Sequence, residues 1–293
     1  MTAPLPFARL EFLTSKQNPK FKIWKSLLQA KGRKTEKLFL LSGEKIILDF
    51  FNKSGNDRLN KKKSISDFKI SAILFPDNEA LYLHFMNLIS GESSLDWRGD
   101  DKDSNQGQKM KTYRLSADLF NELDTVGTHF CLVVLTSKEF KGANLNTPPV
   151  GLELVCPISD PSNLGAICRS AYGFGVKKLI LTKNSADPYH PKSLKSSSGV
   201  ALQMQFERLD KELSQIQPNQ ISEYDVGLDL LGTAISEYPW PKNLRLWLGE
   251  EGQGLKIIPR AQCLFIPTQG IESLNVTVAG SIALYLYQSS RNK

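Results

Sequence analysis

From residue 152 onward the chain alternates short apolar runs with helix-length segments. The first run, Leu-Glu-Leu-Val-Cys-Pro-Ile at 152–158, is almost continuously apolar. A strand with one wet face would alternate polar and apolar side chains. A continuous run suits a strand buried on both faces, as in a parallel sheet covered by helices. A helical pattern follows at 164–174 and a strand at 178–182. Further strand-like runs occupy 204–209, 226–231, 245–248 and 263–266, and a long terminal helix spans 274–288. This order predicts a doubly wound α/β domain, whose ligands belong at the carboxyl ends of the strands.

The first half reads as a smaller α/β unit. Phe21, Trp24, Leu27 and Leu28 recur at helical spacing within 18–31, with lysines between them. Strands are expected at 38–41, 70–75, 112–115 and 130–135, and helices from Glu44, at 79–88 and at 117–123. Two stretches interrupt the pattern, a basic one at 56–63 and a polar one at 91–108, and both read as mobile insertions. Residues 138–149, with Gly142 and the pair Pro148-Pro149, read as a linker. The expected domains are therefore 1–137 and 150–293. No repeat of a period between 20 and 50 residues is present.

Charge is distributed unevenly. Residues 1–63 hold 15 Lys/Arg against 5 Asp/Glu, whereas the other 230 residues hold 22 against 25. Such an asymmetry suits a polyanion partner, because each phosphate neutralised releases condensed counterions; a solvated basic surface is the other reading. No run approaches the roughly 20 apolar residues that span a bilayer, and the N-terminus carries no signal-peptide pattern. A soluble, cytoplasmic protein without a membrane partner is the expectation. Cys131, Cys156, Cys168 and Cys263 are far apart, and three lie in apolar runs, as buried thiols do. Three histidines and no CxxC or HExxH spacing give no reason to expect a metal.

Three loops fall at the predicted strand ends. The first, at 160–169, runs Asp-Pro-Ser-Asn-Leu-Gly-Ala-Ile-Cys-Arg. Asp160 or Ser162 suits a helix cap with Pro161 in the first turn. Capping leaves Arg169 unexplained in a mostly apolar helix, either on the surface or aimed into a cleft. The second loop, Gly249 to Gly254, has three glycines in six positions, which lets backbone approach a ligand closely. It is neither a Walker loop nor GxGxxG, and Glu250 and Glu251 disfavour a pyrophosphate. A cationic or zwitterionic ligand fits better. The third, 266–277, joins the last strand to the last helix and holds Ser273 and Asn275, either of which can cap that helix.

Taken together and in this order, the three loops resemble the three signature motifs of the SpoU (TrmH) family of RNA ribose 2′-O-methyltransferases, within the SPOUT superfamily. The likeness covers about 151–288, including a Ser198-Gly199 turn. The segment 17–47 also resembles the ribosomal-protein-like RNA-binding domain that precedes many such catalytic domains. One departure is Glu250, where the family commonly has Asn. The resemblance implies a trefoil knot, S-adenosylmethionine as cofactor, and a homodimer formed through the C-terminal domain with sites shared between subunits.

By position, the resemblance places Leu231, Gly232, Thr233, Leu248, Gly249, Glu251, Gly252, Gly254, Ile266, Ser273 and Leu274 on the cofactor. It gives Arg169 the reacting oxygen, with Asn163, Ser273 and Asn275 orienting the ribose and Glu251 bracing the site. A guanidinium with a pKa above about 12 cannot accept a proton, so stabilisation of the developing alkoxide is the role expected for Arg169. Lys20, Lys22, Lys25, Lys31, Arg33 and Lys34 are the expected RNA contacts, the RNA being ribosomal or transfer RNA, with DNA not expected. A related enzyme methylating a base nitrogen, or a non-catalytic RNA-binding protein of the same fold, are the alternatives.

Overall fold

The structure, a computed structural model, describes residues 6–56, 68–90, 111–250 and 254–291. Except for Asn56, the stretches 56–63 and 91–108 lie outside them. Contacts divide the chain into two units. One is Met1–Lys138 with Tyr189–Lys195, and the other is Glu139–Pro188 with Ser196–Lys293.

In the first unit, Asn18 opens helix α1 (Pro19–Ser26) by accepting the Lys20 N–H at 2.9 Å, with Pro19 at the first helical position. The single helix expected over 18–31 is interrupted. Leu28 and Gln29 bond three residues back, to Lys25 and Ser26, which closes the last turn, and α2 (Ala30–Glu36) begins anew. Arg33 reaches back from α2 to donate to the Leu27 carbonyl at 2.8 Å. That tertiary contact fixes the break, and side-chain periodicity carries no trace of it.

Strand β1 (Glu11–Leu13) precedes these helices and is too short for its pattern to register. After them come β2 (Leu38–Ser42), α3 (Glu44–Asn56), β3 (Ile70–Pro76), α4 (Glu79–Ser90), β4 (Lys111–Leu115), α5 (Ala117–Leu123) and β5 (Leu132–Thr136). They form a mixed sheet in the order β1-β4-β3-β5-β2, with β5 antiparallel to both of its neighbours. Phe21, Trp24 and Leu27 of the first helical segment pack with Leu40, Leu74, Leu115 and Val134. Tyr189 belongs to this unit, stacking on Phe39 with ring centroids 4.8 Å apart and meeting Phe68 edge-on.

The second unit contains β6 (Lys141–Gly142), β7 (Leu152–Cys156), α6 (Pro161–Gly173), β8 (Lys178–Leu181), then beyond α7 (Pro191–Ser196) β9 (Phe206–Arg208), β10 (Asp225–Ala234), β11 (Leu244–Trp247), β12 (Cys263–Phe265) and α8 (Val276–Ser289). Its seven strands are all parallel, in the order β12-β10-β11-β7-β8-β9-β6. Every residue of β7 is buried, which is why its sequence shows no alternation. Residues 138–149 are part of the fold. β6 pairs with β9, Leu145 is buried, and Arg245 donates to the carbonyls of Leu145 and Thr147.

Charged residues cross this sheet near the amino ends of its central strands. Asp225, Arg245, Glu153, Lys178 and Glu207 stand on five neighbouring strands, β10-β11-β7-β8-β9, with alternating sign. Arg245 meets Asp225 and Glu153 at 3.2 Å each, and Lys178 meets Glu153 at 3.1 Å and Glu207 at 3.0 Å. The Trp247 indole N–H donates to Asp225 at 2.6 Å, and the Ser222 hydroxyl does the same on the other carboxylate oxygen. A buried carboxylate is tolerable only with such partners.

All four cysteines are free and buried. Burial disfavours the thiolate, pushing Cys156 from its ordinary value up to about 12 and Cys263 up to about 11, with the Asp229 carboxylate adding to the latter. At pH 8 the Cys156 thiol therefore keeps its proton. Ellman's reagent at pH 8 should find no fast-reacting thiol among these four in the native protein, and all four in denaturant.

Candidate active site

The carboxyl ends of β7, β10, β11 and β12 point to one edge of the parallel sheet, where a ligand is expected on topological grounds. At the end of β7 the chain turns into α6. Asp160, of the two capping candidates, accepts the Asn163 N–H at 2.8 Å, and Pro161 fills the first helical position. At the end of β12 the corresponding cap is Asn275, which accepts the Thr277 N–H at 2.9 Å. Ser273 is therefore not needed as a cap. The Thr277 hydroxyl donates to the Asn163 carbonyl at 3.2 Å, and the hydroxyls of Ser281 and Ser170 lie 2.7 Å apart. These bonds fix the first half of α8 along α6, from its first turn to Ser170.

Beyond β11, Glu250 and Gly254 bond reciprocally through their backbones, Gly254 N–H to Glu250 O at 3.1 Å, and so narrow the glycine loop at its base. Glu251 and Gly252 lie outside the described residues. β10 departs from the simple strand expected at 226–231. Leu228 and Thr233 both pair with Leu264, so residues 229–232 form an excursion out of the sheet. Gly232 carries the return of that excursion. A Cβ there would lie 2.1 Å from the Cys263 carbonyl oxygen, so no other residue fits so close to β12.

These loops surround a cavity of about 430 Å³. Leu248, Gly249, Gly254, Ile266, Ser273, Leu274 and Asn275 line it, seven residues nominated by the sequence from two separate loops. Leu231, Gly232 and Thr233 do not, and the β10 wall is made instead by Leu228, Asp229 and Leu230. The excursion moves the lining three residues toward the N-terminus. An aspartate inside the apolar stretch 226–231 was the available signal for it, and only the register break gives that signal a meaning. Asp229, Glu250 and Glu272 contribute carboxylates, and no Lys, Arg or His is among the described lining residues. Such a lining suits a ligand carrying positive charge.

Asn163 and Arg169 are not part of this lining. Asn163 is half-buried at the start of α6, and Arg169 is exposed on the same helix, two turns farther along. Among the described residues there is no group of three or more His, Cys, Asp or Glu placed to hold a metal, and no helix is long and apolar enough to cross a membrane.

The residues expected to contact RNA differ in their setting. Lys22, Lys31 and Lys34 are exposed. Lys20 pairs with Glu11, with its ammonium 4.7 Å from the centre of the Tyr113 ring, and Lys25 pairs with Glu122. Glu122 also holds Lys16; their hydrogen bond raises the pKa of that ammonium and, with Lys25, lowers that of the carboxylate. Arg33 is only 4% exposed and donates to the Leu27 carbonyl, so its guanidinium serves the α1–α2 turn and does not face solvent.

Residues 153–285 match the SpoU rRNA Methylase family. The C-terminal unit is a SpoU domain. Over 183 residues the chain is 34% identical to a ribosomal RNA small subunit methyltransferase G 2 of Syntrophobacter fumaroxidans, which covers 62% of this chain but only 36% of that protein. Over 280 residues it is 25% identical to a 23S rRNA (guanosine(2553)-2′-O)-methyltransferase of Bacillus subtilis, covering 93% of this chain and 97% of the other. An AdoMet-bound rRNA methyltransferase from Sinorhizobium meliloti shares the fold over 96% of this chain and 98% of its own, with a TM-score of 0.68 at 18% identity. The SpoU match contains all three strand-end loops, and the likeness to the Sinorhizobium structure extends over both units.

Proposed function

We propose that this protein transfers a methyl group from S-adenosylmethionine to a ribose 2′-hydroxyl of structured RNA, most closely ribosomal RNA, in the cytoplasm. The observation that carries the reading is the cavity at the carboxyl edge of a SpoU parallel sheet, lined from β10 and from the loops that follow β11 and β12. Its volume is within the ordinary range for small-molecule sites, and its acidic lining fits a sulfonium cofactor. The Sinorhizobium relative was solved with AdoMet, and the Bacillus relative is named for ribose methylation of ribosomal RNA.

Leu248, Gly249, Gly254 and Ile266 would hold the cofactor through backbone and apolar contacts, with Ser273 and Leu274 closing the other side. Within the likeness to the family, this part of the chain forms the trefoil knot. The bound cofactor supplies an electrophilic methyl group, so the protein must bring a hydroxyl into line and stabilise the charge that develops on its oxygen. Arg169 serves that oxygen as a permanent cation, and Asn163 and Asn275 orient the ribose from the capped helix ends.

Because Arg169 does not line the cavity of its own chain, the complete site is read as forming at a homodimer interface. The apolar face that α8 exposes at Val278 (48%) and Tyr285 (56%) fits such an interface. Lys22, Lys31 and Lys34 supply phosphate contacts that hold the RNA, and the N-terminal unit selects it through these and shape contacts. Incubation of the full chain with methyl-labelled S-adenosylmethionine and ribosomal or transfer RNA tests the reading. Label should become stable in RNA, and its absence from every RNA offered would leave only a binding protein.

A further inference from the structure

Asp229 does something in this cavity that the likeness to the family does not assign. It begins the excursion of β10, whose next two side chains, Leu230 and Leu231, are exposed. Its own carboxylate turns back toward the fold. Oδ1 accepts the Leu231 N–H at 3.3 Å, closing a turn within the excursion. Oδ2 accepts the Leu255 N–H at 3.2 Å, just beyond the glycine loop. Gly254 lies against the same oxygen in a left-handed conformation (φ +69°), and a Cβ there would be 3.5 Å from it. One carboxylate therefore fastens two walls of the cavity, one from β10 and one following β11.

We infer that Asp229 is a positioning residue for the cofactor cavity, its carboxylate holding the β10 excursion and the chain at Leu255 at the separation that binds S-adenosylmethionine. The inference rests on reading the cavity as a cofactor site. An alanine at 229 removes both acceptors, and the excursion and the chain at Gly254–Leu255 are then free to move apart. An asparagine presents one carbonyl oxygen and an amide that cannot accept, so one of the two N–H groups loses its partner. Leu228, Leu248, Leu264 and Ile266, apolar residues of the lining, are untouched by either change.

The test is calorimetric titration of the full-length protein with S-adenosylmethionine and, separately, with S-adenosylhomocysteine, for wild type, Asp229→Ala and Asp229→Asn. The alanine variant should bind both ligands about tenfold more weakly and the asparagine variant about threefold. The KM for RNA at saturating cofactor should stay within about twofold, and the thermal midpoint of the free protein within about 2 °C. Wild-type affinity in either variant overturns the inference. So does a loss matched by an equal rise in the KM for RNA and a lower midpoint, which marks a merely structural residue. If the alanine variant does not fold, the asparagine variant decides. Failure of the wild-type protein to bind either ligand removes the cofactor reading itself, and the inference with it.

Discussion

Replacing Arg169 with alanine should leave S-adenosylmethionine affinity within about twofold and lower methyl transfer by a factor of about 10² to 10³. The two effects separate because Arg169 is not among the residues lining the cavity. It is exposed on α6, where it is held in register by the Asp160 cap and by the bond from Thr277 to the Asn163 carbonyl. The contribution of its guanidinium is electrostatic and appears as the oxygen becomes anionic. Lysine at 169 should restore part of the rate, because it returns the charge without the planar fork of donors. Single-turnover transfer measured beside cofactor titration reads both quantities. Equal turnover in the alanine variant would remove Arg169 from the reaction.

The second large effect is on stability. Arg245→Met should destabilise the second unit by about 3–5 kcal/mol, the range found when one partner of a buried ion pair is removed. Arg245 is 1% exposed and serves four acceptors: Glu153, Asp225 and the carbonyls of Leu145 and Thr147. Methionine fills much of the space but leaves two buried carboxylates with fewer partners and two carbonyls with none from this side chain. Lysine should not rescue, since one ammonium cannot reach four acceptors arranged around a fork. Denaturant unfolding followed by tryptophan fluorescence, to which the buried Trp247 of this unit contributes, is the measurement. A loss below about 1 kcal/mol would show that the charge ladder relaxes onto water when its centre is removed.

The sequence made the parallel sheet legible because strands buried on both faces are mostly apolar, and 152–158 is apolar at every position but Glu153. It made the site partly legible for a related reason. Helices that begin at strand ends need capping side chains, and Asp160 and Asn275 both supply them. What stayed hidden depends on residues distant in sequence. Asp225, Arg245 and Glu153 become partners only across the sheet, 20 and 92 positions apart. The excursion at 229–232 hides in a run, Leu228 to Leu231, that reads as uninterrupted strand, and it displaced the expected lining from Leu231–Thr233 to Leu228–Leu230. The break after α1 follows from one contact, Arg33 to the Leu27 carbonyl, which also turned an expected RNA contact inward. In residues 138–149, polar composition suggested a tether, while two backbone carbonyls there are acceptors for Arg245.

The central claim is the chemical identity of the product. Full-length protein, S-adenosylmethionine carrying a deuterated methyl group and ribosomal RNA from cells lacking the protein should be incubated together. The RNA is then digested to nucleosides and resolved by mass spectrometry. The account predicts a deuterated methyl group that stays with the ribose fragment when the glycosidic bond is broken. A deuterated methyl that leaves with the base would contradict it.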